Sequence, residues 1–162
     1  MVTVITKTIG PTGRDYTTFT LAEAAVESIA TAEFGSTDLV ANDGAIVFEA
    51  DAATYSESVT FQSSLTTDAT RQVTYKPAVG AEHGGDRTEG VIISPSTGSS
   101  LIVNDDFTIV IGLVLTKACA LNQDGDTADG CIVLHQGVDA AYVNGPAGTS
   151  SAPVQFRNCV LE

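Results

Sequence analysis

The sequence predicts an all-β chain wound as a right-handed parallel β-helix, a solenoid of about five rungs behind one N-terminal capping α-helix. Three observations predict it. The stretches TIVIGLVLT from Thr108, CIVLHQGVD from Cys131 and VQFRNCVLE from Val154 superimpose at a constant interval of 23 residues. Two earlier segments, IVFEA from Ile46 and VTYKP from Val73, join the same alignment once loops are allowed. A period in the twenties, with β-branched residues where the segments align, marks repeats that stack only on their neighbours. The right hand follows from the strong preference of parallel crossovers.

Taken in order, residues 1–13 read as an arm or first strand, VTVI, ending in the turn GPTG. A helix is predicted over 20–33: Thr20 followed by Glu23 fits a capping box, and Leu21, Ala25, Ile29 and Ala32 fall on one face. Ahead of a solenoid, such a helix covers the apolar opening of the first coil. The rungs occupy 45–162, so 1–162 reads as a single domain.

Within the rungs, alternation predicts two inward columns. The first is Ile46, Val73, Thr108, Cys131 and Val154; the second, a continuous internal stack, is Phe48, Tyr75, Val110, Val133 and Phe156. Two positions further stand Ala50, Pro77, Gly112, His135 and Asn158. Gly, His and Asn tolerate a left-handed backbone, so this column predicts a sharp corner between two strands in the last three rungs. Beyond it, Leu113 and Leu115, Gln136 and Val138, and Cys159 and Leu161 point inward again.

The charge is lopsided, 7 basic against 20 acidic residues and a net of −13. Such a chain repels phosphate backbones and anionic membranes, which argues against nucleic-acid and membrane partners. The N-terminus MVTVITKTIGPTG has no apolar run of secretory length, and no segment has the length of a membrane span, so a soluble protein without a classical export signal is expected. Cys119, Cys131 and Cys159 are an odd, sparse set that reads as small buried hydrophobes rather than as a disulfide or metal cluster.

The segments DYTTFTLAEAAVES, IVFEADAATYSESVTF, VTYKPAVG, FTIVIGLVL and VQFRNCVLE resemble the pectate-lyase-like right-handed parallel β-helix superfamily, particularly virion proteins of tailed phages. The resemblance covers residues 15–162 and implies a fold that serves lyases, glycosidases, adhesins and inert virion parts alike. Glycosidase chemistry needs paired carboxylates, for which Asp105, Asp106 and Glu49 are the candidates. The superfamily's galacturonases follow their Asp pair with a Gly-His element and an Arg-x-Lys, and neither follows here. Lyase chemistry needs calcium-binding acids and a basic proton acceptor, and the chain has only 7 Lys and Arg.

No cofactor is expected; the one candidate metal is calcium, in the loop NQDGDTADG with Asn122, Asp124, Asp126 and Asp129 as ligands. Thr127 stands where a calcium loop of the EF-hand type needs Gly, and Val133 where the bidentate Glu belongs, so a polar turn held by its own Asx hydrogen bonds is the alternative. His83 and His135 have neither triad partners nor ligand spacing, and GAEHGGD lacks the Lys of a phosphate cradle.

One feature departs from a self-contained solenoid. Outward positions that carry Glu49, Lys76, Gln155 and Arg157 in three rungs carry Ile109, Ile111, Ile132 and Leu134 in the two between. An apolar stripe of that kind is either hidden by a loop or an interface. The sequence also ends on a strand, whose open edge a partner, a symmetry mate or further chain would cover. Together these features predict a non-enzymatic virion structural protein, a capsid decoration or cement protein that binds the capsid shell as a homo-oligomer, in trimers or on a symmetry axis. A tailspike or fibre module that binds or cleaves host-surface polysaccharide is the alternative, and with no Trp and four Tyr its aromatic platform is thin.

Overall fold

The computed structural model describes residues 1–134, 141–143 and 153–161. The expectations on His135, Gln136 and Val138 lie outside those residues. An opening strand β1 (Thr3–Ile9) is followed by the helix α1 (Phe19–Phe34). Three strands come next, β2 (Gly44–Ala50), β3 (Ala53–Tyr55) and β4 (Val59–Phe61), then β5 (Val73–Pro77), β6 (Val91–Ile93) and β7 (Leu101–Val103). The pattern continues with β8 (Thr108–Ile111), β9 (Val114–Leu115) and β10 (Cys119–Leu121), then β11 (Thr127–Asp129), β12 (Ile132–Val133) and β13 (Ala141–Val143). It ends on β14 (Gln155–Arg157) and β15 (Val160–Leu161).

Each triplet visits three parallel sheets in the same order. The first sheet is β1-β2-β5-β8-β11-β14, the second β3-β6-β9-β12-β15 and the third β4-β7-β10-β13. The expected register holds at Ile46, Val73 and Thr108, which are direct partners. It breaks in the next circuit. Val110 pairs with Ala128, and Ala128 with Phe156, so Asp126 and Ala128 occupy the places assigned to Cys131 and Val133. Val133 pairs instead with Leu115 and Leu161 in the second sheet. The interval of 23 is therefore an average of a short circuit and a long one, 18 residues from Thr108 to Asp126 and 28 from Asp126 to Val154.

The corner column explains the short circuit. Gly112, Gly130 and Asn158 have φ of 61°, 62° and 50° and stand at the same step between the first and second sheets. Gly112 N–H donates to Asp129 O at 2.8 Å and Gly130 N–H to Arg157 O at 3.0 Å. Gly130, rather than His135, thus supplies the left-handed residue in its circuit, at no steric cost from a Cβ.

The interior is packed with rings. Tyr75 is fully buried and stacks between Phe48, at 4.9 Å between centroids, and Phe61, at 3.8 Å. Burying each such ring contributes about 2–3 kcal/mol. Helix α1 closes one end of this interior through Phe19, Ala22, Val26, Ile29 and Ala30, a face turned from the expected one, since Leu21 is exposed. Its N-cap is Thr18, whose side chain accepts from Leu21 N–H, and not Thr20. Glu57 takes over the first turn, accepting from Phe19 N–H at 2.8 Å and Thr20 N–H at 3.0 Å. That placement satisfies two of the orphan donors every helix start leaves.

Candidate functional site

The steps from the third sheet back to the first gather most of the polar chemistry. Phe61, Val103 and Leu121 end their strands in register, and the residues after them are Gln62, Asn104 and Asn122. Asn122 Nδ2 donates to Asn104 Oδ1 at 2.7 Å, and Asn104 Nδ2 to Gln62 Oε1 at 3.5 Å. An amide carries both donors and an acceptor, so amides in register can hand a hydrogen bond from one circuit to the next.

Carboxylates fasten the same steps. Glu23 Oε1 accepts from Gln62 N–H at 2.7 Å, Glu27 Oε1 from Ser64 N–H at 2.7 Å, and Asp105 Oδ1 from Ser63 N–H. Glu23 Oε2 also accepts the Tyr75 hydroxyl at 2.6 Å. Glu23 and Glu27, one helical turn apart on α1, therefore tie the helix to the segment following β4. Burial pushes the Glu23 carboxyl up to about 6, against the pull of the Tyr75 and Gln62 donors. Burial likewise raises Asp105, against the Ser63 bond.

Asp126 is the extreme case. It is fully buried; Oδ1 accepts from Thr108 N–H at 3.2 Å and Oδ2 from Gln123 N–H at 3.0 Å. Desolvation outweighs both bonds and pushes its carboxyl up to about 8. Of the other residues expected as calcium ligands, Asn122 is engaged with Asn104, Asp129 accepts from Asn158 Nδ2 at 3.0 Å, and the Asp124 carbonyl accepts from Phe107 N–H at 2.8 Å. Asn122, Asp126 and Asp129 are thus engaged through their side chains and Asp124 through its backbone carbonyl, while Asn122 Oδ1 is buried with no hydrogen-bond donor among the described residues. Among the described residues, no group of three His, Cys, Asp or Glu is placed to hold a metal.

Two surface features flank this corner. A groove of about 290 Å³ runs over the outer face of the first sheet, lined by Gln72, Phe107, Ile109, Thr127, Gln155 and Arg157 among others. Phe107 has φ 54°, and its ring lies so close over Gly125 that a Cβ there would come within 2.3 Å. A left-handed phenylalanine stores strain that only its surroundings can maintain. A second depression of about 560 Å³ lies between the loop Gly84–Arg87 and the outer residues Ile132 and Val160 of the second sheet. His83 Nε2 hydrogen-bonds the Gly130 carbonyl at 2.7 Å and pins that loop.

The stripe expected from Ile109, Ile111, Ile132 and Leu134 is divided by the same shift in register. Ile109 and Ile111 belong to β8 on the first sheet, and Ile132 to β12 on the second. Ile132 is only 4% exposed, Ile109 and Leu134 are half-buried, and Ile111 is 37% exposed. Val160, which pairs with Ile132, and Leu161 are more exposed than any residue of that stripe, at 48% and 51%. Phe107 was the residue sequence reasoning missed; its signal was the pairing of a large ring with the glycine that lies beneath it one circuit on.

Set against protein-family models, curated proteins and solved structures, the chain matches none.

Proposed function

We propose that the three-sheet winding is a right-handed parallel β-helix and that the chain is a non-enzymatic structural protein of a phage virion, a capsid decoration protein that works by protein contact. The observation that carries the reading is how the carboxylates are used. Glu23, Glu27, Glu57, Asp105 and Asp126 each accept at least one backbone N–H, so they hold the chain rather than face a substrate. A hydrolase or lyase needs its acids turned to an open cleft. The contact surface is the outer side of the second sheet, where Val160 is exposed beside the Gly84–Arg87 loop. The virion assignment itself rests on the sequence resemblance.

The test is the variant Val160→Lys, with particle binding measured by co-sedimentation and oligomeric state by analytical ultracentrifugation. The expected result is an unchanged melting temperature with association reduced at least tenfold. Unimpaired association would remove this surface from the reading. Binding of a neutral polysaccharide that Phe107→Ala abolishes would move the function to a tailspike or fibre module, for which the groove over the first sheet is the supporting observation.

A further inference from the structure

Beyond the corner residues, the next position in each circuit is Leu113, Cys131 and Cys159. Ile132 pairs with both Val114 and Val160, so the residues before them stand in one column. Ile132 N–H donates to Leu113 O at 2.9 Å and Val160 N–H to Cys131 O at 3.0 Å, which continues the register through this position. The column faces inward: Leu113 and Cys131 are buried, and Cys159 is partly buried against the same core. Two thiols thus lie one above the other on adjacent circuits, a placement that a search for cysteine spacing in the sequence does not reveal.

We propose that Cys131 and Cys159 form a dithiol that closes to a disulfide between neighbouring circuits on reaction with a disulfide-bearing oxidant such as oxidised glutathione. Strands in a sheet lie about 4.8 Å apart, inside the Cα separation of roughly 4.4–6.8 Å that a disulfide spans. From that strand spacing the β-carbons must close by roughly 1 Å to reach disulfide geometry. The thiols are unequal. Cys159 is the accessible one, and the adjacent Cys131 thiol lowers its pKa to about 7; Cys131 is buried, directs its Sγ at the Val110 and Asp129 carbonyls, and is held in the thiol form by its neighbour Cys159 and by burial. Cys119 is buried on a different sheet, and burial raises its thiol to about 12, which makes it the inert member.

The steps balance. The Cys159 thiolate attacks one sulfur of the oxidant and expels a glutathione thiolate, which takes a proton from solvent. Cys131 then gives up its proton, and its sulfur attacks Cys159 Sγ and expels the second glutathione. Two protein thiols are oxidised, and one disulfide is reduced to two thiols. The new bond links two neighbouring strands of the second sheet, and it ties together positions 28 residues apart in the chain.

The full chain, reduced and then treated with oxidised glutathione at about pH 8, tests this. Trypsin cuts after Lys117 and Arg157, leaving Cys119 and Cys131 on one peptide and Cys159 on another, so a cross-link joins the two and fragmentation of the wild-type product locates the sulfur used. The expected outcome is loss of two of the three thiols, a link at Cys131, and a melting transition raised by several degrees. Cys119→Ala retains the link, and Cys131→Ala stops at a glutathione adduct on Cys159. A link through Cys119, a covalent dimer of two chains, or three thiols that survive oxidation would each overturn the proposal.

Discussion

Asp126 carries a consequence that its two hydrogen bonds conceal. A carboxyl whose folded pKa stands near 8, against an ordinary value of 3.8, keeps a proton that the unfolded chain has already released. Between about pH 4 and 8 the unfolded state therefore binds fewer protons, and stability falls as pH rises through that window. Glu23, raised to about 6, adds to the fall from about pH 4.5 upward, and Asp105 acts in the same direction. Asp68 opposes them, because the Thr70 N–H holds its carboxylate down to about 2. Its contribution is lost only as pH drops below about 4. The chain should thus be most stable near pH 4–5, with a loss on the order of 2 kcal/mol or more by pH 8. Melting temperature measured from pH 3 to 9 reads this directly. Asp126→Asn, which cannot ionise, should flatten the slope between pH 5 and 8, and an undiminished slope would take Asp126 out of the account. Nothing in the loop NQDGDTADG shows that this acid is the buried one; acids in a polar loop read as solvated, and only the register of the neighbouring strands turns it inward.

The corners decide that register. The segments GLVL from Gly112, GCIV from Gly130 and NCVL from Asn158 are the true equivalents, and all three begin at a left-handed residue. Aligning on the apolar run alone joins Cys131 to Thr108, because Cys-Ile-Val resembles Thr-Ile-Val and β-strands tolerate either. The glycine carries more information, since few residue types accept its backbone angles. The parts of the fold that were legible, the strands at Ile46, Val73, Thr108 and Val154 and the helix near Leu21, are those with periodic apolar residues. Short strands such as Thr127–Asp129 lie inside polar runs and have pairing but no pattern. It follows that Gly130→Val should cost about 1–3 kcal/mol, because a β-branched residue is forced into a left-handed conformation. Asn158→Gly should be close to neutral, the relief of backbone strain offsetting the lost bond to Asp129 and the greater freedom of the unfolded chain. Chemical denaturation of both variants checks the pair, and equal losses would show that the corner geometry does not matter.

The stack as a whole carries a net charge of −13. Its cations are largely committed: Arg71 lies between Asp43 and Asp68, Arg14 pairs with Asp51, Lys7 with Glu33 and Lys76 with Glu49. These are surface pairs that contribute little, and salt weakens them. Salt also weakens the repulsion among the excess acids, which opposes compaction and acts over the whole surface. The two effects have opposite signs, and magnitude separates them. Raising salt from about 0.01 M to 0.15 M shortens the screening length from about 30 Å to about 8 Å, so repulsion across a body of this size is largely removed, while contacts at 3 Å keep much of their strength. The melting temperature should therefore rise by a few degrees over that range at pH 7 and level off above it. Because association through the surface at Val160 brings two acidic bodies together if the partner is a second copy, self-association should strengthen along the same salt series. A melting temperature that falls with salt would mean that the ion pairs outweigh the net charge, and that the acidic surface does not strain the fold.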